Sequence, residues 1–233
     1  MLVTQRLLEA LRRRPVSRLV FASSSSVYGN APSYPTTEKD LPRPYSPDGV
    51  TKLAAEHLCR LYAGNWAVPT VALRYFSVYG PRQRPDMATH RLIEAAMGGP
   101  PFPLFGDGRH MRDFTYMGDV VAANLAAATR DLAPGTVVNV AGGSSCTLVD
   151  LVHLVGELAG REIPLDRRPA QPGDVDRSGG SGERAREALG WEPGVDLRTG
   201  VTRQLQWHRR RHPAGAGQTS SDQGSTADSS RRL

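Results

Sequence analysis

Three stretches of the chain hold side chains whose types and spacing could do chemistry. Phe21-Ala-Ser-Ser-Ser-Ser-Val-Tyr-Gly29 places four consecutive hydroxyls directly behind an apolar run. Small hydroxyl residues at the carboxyl end of a parallel strand are where open α/β sheets bind ligands, though such a run also serves as a plain Ser-rich turn. Ser46-Pro-Asp-Gly-Val-Thr-Lys-Leu-Ala-Ala-Glu56 opens a helix and sets Asp48 and Lys52 four residues apart. That spacing predicts an ion pair on one helix face. Leu73-Arg-Tyr-Phe-Ser-Val-Tyr-Gly-Pro-Arg-Gln-Arg84 again leaves an apolar strand with polar and aromatic groups behind it.

Those stretches need elements to position them, and periodicity supplies an alternation of helix and strand. Helices are predicted over 2–13, 49–63, 87–97, 117–129, 148–159, 183–189 and 197–208. Strands are predicted at 18–22, 69–74, 103–105, 113–116, 137–141 and 163–166, with polar loops over 23–47 and 80–86. The runs 69–74 and 137–141 are continuously apolar, as strands buried on both faces are. Strand–helix alternation of this kind implies a doubly wound parallel α/β layer. Only three core strands are present, the first with an open apolar edge. From 213 to 233 almost nothing is apolar, and that tail is expected to be disordered.

Composition narrows the function classes. The chain has 233 residues, 39% apolar and 22% charged, with a net charge of +6. Mean hydropathy is −0.39. No apolar run approaches the ~18 residues of a membrane span, and the start reads as an amphipathic helix, not a leader. Cys59 and Cys146 offer neither a disulfide framework nor metal-ligand spacing, so a cytoplasmic protein without a metal is expected. All but two of the 29 basic residues, Lys39 and Lys52, are arginines; they fall in short clusters without interleaved aromatics. That pattern fits solvated helix ends and anionic small molecules better than nucleic acid.

Taken in order, these segments resemble the extended short-chain dehydrogenase/reductase family, and within it the NAD-dependent nucleotide-sugar epimerases. Supporting segments are Phe105-Gly-Asp-Gly108, Arg112-Asp-Phe-Thr-Tyr116 with Asp119-Val, Asn139-Val-Ala-Gly-Gly143 and Gln171-Pro-Gly-Asp-Val175. The resemblance covers residues 1 to 208. It implies a partial Rossmann-type sheet with a small C-terminal substrate-binding α/β region. Residues 1–80 would form the NAD-binding part and 81–212 mainly the substrate-binding part, with one strand returning to the sheet at 137–141. It further implies inversion at C4 of a UDP-hexose, or another nucleotide-diphospho-sugar, through a 4-keto intermediate. In that family a tyrosine in Ser-Pro-Tyr-Gly-x-x-Lys takes the proton of the sugar 4-hydroxyl as hydride leaves for NAD. The lysine holds the nicotinamide ribose and lowers the phenol pKa. A Ser or Thr three residues before Val-Tyr-Gly bonds the same hydroxyl.

Carried onto this sequence, Ser24 matches the hydroxyl residue and Lys52 the lysine. Ser23, Tyr75 and Phe76 match cofactor contacts. Ser77 and Arg112 match contacts to the diphosphate region, where a guanidinium fork suits phosphate oxygens. Asp174 matches an acid on the ribose hydroxyls. The bland alternatives are a surface pair of Arg112 with Asp113, and a turn residue at Asp174. The catalytic set is then Ser24, Asp48 and Lys52, with Asp48 where the tyrosine stands. An aspartate reaches roughly 3 Å less far than a phenol. Its reference pKa is about 3.9 against about 10. Tyr45, seven residues before Lys52, has the wrong spacing to replace it. No Gly-x-x-Gly-x-x-Gly turn occurs, so about 100 residues and four strands of a usual Rossmann half are expected to be missing. An impaired epimerase is therefore expected, or a non-catalytic remnant or partner subunit of an intact homologue. Homodimerisation or pairing with that homologue would use helices 2–13 and 49–63. A 4,6-dehydratase is disfavoured because Ser25-Ser26 stand where an Asp-Glu pair is needed; a keto-reductase remains open.

Overall fold

The computed structural model describes residues 2–171 and 173–211; the tail predicted at 213–233 lies outside the described residues. The chain begins with α1 (Leu2–Arg13) and β1 (Leu19–Ser24), followed by a single 3₁₀ turn at Ser25–Val27. A polar connection leads to α2 (Pro47–Trp66), β2 (Thr70–Tyr75) and β3 (Val78–Tyr79). Next come α3 (Ala88–Ala96), β4 (Phe102–Phe105), β5 (Met111–Tyr116), α4 (Met117–Thr129) and β6 (Thr136–Val140). β7 (Ser144–Thr147), α5 (Leu148–Ala159), β8 (Leu165–Arg168), β9 (Arg177–Ser178), α6 (Glu183–Leu189) and α7 (Leu197–Arg211) complete the order.

β1, β2 and β6 form a parallel sheet in that order, with Phe21 opposite Ala72 and Ala72 opposite Val137. β2 is central, and its Val71, Ala72 and Leu73 are all buried, which is why this strand has no polar alternation. Helices cover both faces. α1 and α2 contribute Leu8, Cys59 and Tyr62 to a cluster on one side; α4 and α6 contribute Ala123, Ala127 and Leu189 on the other. A smaller mixed sheet joins β3, β5 and β7, with β9 added to β5, while β4 pairs with β8. Their core, including Leu92, Ile93, Leu151 and Leu205, lies against α3, α5 and α7.

Several boundaries differ from those predicted, each for a local reason. α2 begins at Pro47, two residues before the expected 49, because Ser46 caps it: its hydroxyl accepts from the Gly49 amide at 3.1 Å, and Pro47 occupies the first turn. It continues to Trp66, where Ala67 adopts a left-handed cap. The strand expected at 163–166 lies instead at Leu165–Arg168, because pairing with β4 fixes Phe102 opposite Leu165 and leaves Ile163 in the core. β3, β7 and β9 are additional short strands, defined by their pairing with β5.

Candidate active site

Asp48, Lys52 and Glu56 recur at intervals of four on α2 and so share one face, directed at the carboxyl ends of β1 and β2. Glu56 anchors that face. It is 2% exposed and holds Arg74 through two bonds, Nε to Oε1 at 2.9 Å and Nη2 to Oε2 at 2.6 Å. It also accepts from the Ser23 hydroxyl. Arg74 Nη1 donates to the Tyr28 hydroxyl at 2.7 Å, which donates to Asn139 Oδ1 at 2.7 Å. One buried polar network thus ties α2, all three sheet strands and the serine turn together. Burial opposes the charge on Arg74, but hydrogen bonds and charge from Glu56 and Tyr28 outweigh it, and its pKa stands above the usual arginine value. Burial pushes the Tyr28 phenol up to about 12, against the opposing pull of Arg74.

The ion pair predicted between Asp48 and Lys52 does not form. Lys52 Nζ reaches past the helix to donate to the Ala22 carbonyl at 2.9 Å and lies 5.7 Å from the Phe21 ring centre. Asp48 Oδ2 instead accepts from Ser26 Oγ at 2.9 Å. Ser26 and Ser24 hydroxyls are 2.8 Å apart, and Ser24 Oγ accepts from the Ser26 amide at 3.1 Å. The long lysine stem makes this exchange possible: the strand end offers a fixed carbonyl, and the serine turn offers the carboxylate a donor. Ser26 is the partner of Asp48 that sequence spacing did not indicate, since the two lie 22 positions apart.

Beside the serine turn opens a cleft of about 550 Å³ lined by Ser26, Tyr45, Ser77, Arg112 and Asp174. A second hollow of about 800 Å³, with Phe105, His110 and Phe114 in its walls, shares Ser77, Arg112 and Asp174 with the first. Arg112 stands between the two. Its Nη1 donates to its own strand's Met111 carbonyl at 2.8 Å and its Nη2 to Asp174. The alternative pairing with Asp113 fails because neighbours on a strand point to opposite faces. Asp113 is 2% exposed, with Oδ1 unpartnered, and burial raises its pKa to about 6 against the opposing backbone N–H groups of Gly180, Ser144, Gly142 and Gly143.

The remaining predicted residues fall in two settings. Ser24, Asp48 and Lys52 come together at the sheet's carboxyl edge; Ser77, Arg112 and Asp174 come together in the cleft. Ser23 turns its hydroxyl inward to Glu56 and is buried. Phe76 is enclosed, stacked 6.3 Å from Tyr28, with Gly180 pressed against its ring. The Tyr75 hydroxyl donates to Asn124 Oδ1 at 2.8 Å. Among the described residues no group of His, Cys, Asp and Glu is arranged to hold a metal ion. No helix among them is long and apolar enough to cross a membrane.

This arrangement can do two things. A guanidinium between two hollows can bind a diphosphate that spans them. An ammonium with two donor positions to spare, beside hydroxyls at the end of parallel strands, can hold a polyol.

Residues 1–141 match the NAD dependent epimerase/dehydratase family. An uncharacterized UDP-glucose epimerase, YtcB of Bacillus subtilis, is 38% identical over 203 residues; the alignment covers 87% of this chain and 64% of that protein's length. A probable UDP-glucuronate 4-epimerase of Rhizobium meliloti is 34% identical, over 88% of this chain and 67% of its own. Among solved structures, MoeE5 in complex with UDP-glucuronic acid and NAD superposes with a TM-score of 0.87 at 42% identity, covering 91% of this chain and 71% of that one. The UDP-glucuronic acid 4-epimerase from Bacillus cereus, in complex with UDP-glucuronic acid and NAD, gives a TM-score of 0.87 at 37% identity, covering 91% and 67%.

Proposed function

The chain belongs to the NAD dependent epimerase/dehydratase family, and we propose that it binds a UDP-hexose and NAD and serves inversion at C4 of the sugar through a 4-keto intermediate. The observation that carries this reading is the convergence of Ser24, Asp48 and Lys52 beside a cleft that also holds Ser77, Arg112 and Asp174. The resemblance to complexes that contain both UDP-sugar and NAD supports it.

In this reading Arg112 takes the diphosphate, exchanging its bond to Asp174 for phosphate oxygens, and Asp174 turns to ribose hydroxyls. Ser77 lines the passage between the two hollows. Ser24 bonds the sugar 4-hydroxyl. NAD, when bound, supplies the acceptor and donor of the hydride. The residues present fit its nicotinamide end: an ammonium has three donors and Ala22 occupies one, so Lys52 keeps two for ribose hydroxyls. Ser23, Tyr75 and Phe76 shape that end from behind. The pyrophosphate end finds no such fit, since no Gly-x-x-Gly-x-x-Gly turn occurs among the described residues. Residues 1–80 would then serve the cofactor and 81–212 mainly the sugar nucleotide. The reading includes a cytoplasmic setting and pairing through α1 and α2, where Leu2, Val3, Leu7 and Leu61 stand exposed.

Calorimetric titration with UDP, UDP-glucose and UDP-glucuronate tests the reading. Binding that Arg112→Met weakens by tenfold or more is expected; no binding of any of the three at millimolar concentration would refute it. Asp48 favours one second reading, a subunit that binds the same ligands without turnover. C4 inversion by the chain with added NAD, followed by chromatography of the sugar nucleotides, decides between them.

A further inference from the structure

We propose that Asp48, Ser26 and Ser24 form a polarised hydrogen-bond relay that receives the proton of the sugar 4-hydroxyl where a phenol is absent. This deepens the function proposed above and rests on Ser24 facing that hydroxyl. The polarity follows from counting donors. A carboxylate can only accept, so the single hydrogen of Ser26 is drawn to Asp48 Oδ2 at 2.9 Å. The 2.8 Å contact between the serines must then carry the Ser24 hydrogen toward Ser26. Ser24 Oγ also accepts from the Ser26 amide at 3.1 Å. One lone pair is left on Ser24, and it can act only as an acceptor. The assembly therefore presents a directed basic oxygen to a sugar hydroxyl, and two serines supply the reach that aspartate lacks.

The backbone holds this geometry in place. A Cβ at position 49 would lie 2.4 Å from the Ser26 carbonyl oxygen, so Gly49 lets the first turn of α2 seat directly against the serine turn. Behind it, Glu56 fixes the same helix to β1 through Ser23. Lys52, one turn beyond Asp48, is the nearby cation on this face. During oxidation the sugar O–H bond breaks and its electron pair becomes the second C–O bond. The C4 hydrogen leaves with its own pair to the oxidised nicotinamide dinucleotide. Ser24 gains the sugar proton and gives its own to Ser26, which gives its own to Asp48; the carboxylate ends neutral. The return step reverses each transfer. Tyr45 and Asp174 also stand on the cleft wall; Asp174 is engaged with Arg112, and the test separates the Tyr45 phenol from the relay.

The experiment compares UDP-glucose with UDP-4-deoxy-4-fluoroglucose, which cannot donate from C4, by calorimetric titration of the full chain. Wild type is expected to prefer the hydroxyl ligand about five- to tenfold, the upper part of the range for one hydrogen bond to a neutral acceptor. Asp48→Asn can donate to Ser26 and reverse the chain, and Ser26→Ala cuts it; both should bring the ratio within about twofold of unity on the same scale. Ser26→Thr restores the hydroxyl and should restore the preference, and Tyr45→Phe should keep it. A preference unchanged in Asp48→Asn, lost in Tyr45→Phe, or absent in wild type overturns the relay while leaving UDP-sugar binding intact. Failure of wild type to bind either ligand overturns the function reading and the relay together.

Discussion

Replacing Glu56 by glutamine is expected to destabilise the protein by about 3 kcal/mol, at the lower end of the cost of breaking a buried ion pair from one side. The side chains of Arg74 and Glu56 are 5% and 2% exposed, so solvent cannot compensate the orphaned guanidinium. Glutamine keeps the shape, and its one carbonyl oxygen can satisfy Nε of Arg74 or the Ser23 hydroxyl. Its amide then faces Nη2, setting donor against donor where a 2.6 Å bond stood. The Tyr28 hydroxyl and ring, the latter 4.7 Å from the guanidinium carbon, remain and keep the loss from reaching the upper end of the range. With a urea slope of about 2 kcal/mol/M, the midpoint should fall by about 1.5 M at unchanged slope, read by far-ultraviolet circular dichroism. The companion variant Glu56→Met with Arg74→Met buries no charge and should recover most of the loss. A midpoint for Glu56→Gln within about 0.3 M of wild type, or a double variant less stable than the single one, would refute the reasoning.

Other consequences are open to the same kind of measurement. Gly200→Ala should lower the melting temperature although alanine ordinarily favours a helix, because its Cβ would sit 2.1 Å from the Tyr79 hydroxyl; about 1–3 kcal/mol is expected from the overpacking, and a raised melting temperature would contradict it. The Asp113 pKa of about 6 exceeds the ordinary aspartate value of 3.8, so the folded state binds the extra proton between these values. Stability contributed by this group is full below about pH 4 and lost as pH rises through about 6, a fall of about 3 kcal/mol. The stability difference between wild type and Asp113→Asn, from urea midpoints at pH 4 to 7, should shrink accordingly; a flat difference denies the shift. Arg112→Lys should weaken UDP binding about tenfold, because a point charge cannot replace a two-pronged contact; titration showing equal affinity would argue against Arg112 as the diphosphate ligand.

Much of the sheet could be read from sequence because burial on both faces leaves an unbroken apolar signature, as at Val71–Leu73 in β2 and Val137–Val138 in β6. β3, β7 and β9 carry no such signature. Each is two to four residues long, and only the presence of β5 makes it a strand. The same division runs through the site. Ser24, Lys52 and Arg112 stand in recognisable local patterns, whereas their partners do not. Sequence spacing paired Asp48 with Lys52, four residues away, and offered adjacent Asp113 only as the bland alternative partner of Arg112. The folded chain assigns Asp48 to Ser26 and Arg112 to Asp174, 22 and 62 residues away. Local periodicity says which residues share a face of one element, but charge partners are chosen across elements, by whichever fixed donor or acceptor the packing brings nearest.

The first turn of α2 carries Asp48 on the exposed side of a capped helix, outside the Glu56–Arg74 network. An acid there complements the positive end of the helix dipole, worth about 0.3–1 kcal/mol, and a phenol would forgo that gain. Folding therefore rewards the aspartate whether or not any sugar is ever oxidised. Helix stability favours a carboxylate at this one position, and only selection on turnover could hold an aromatic residue there.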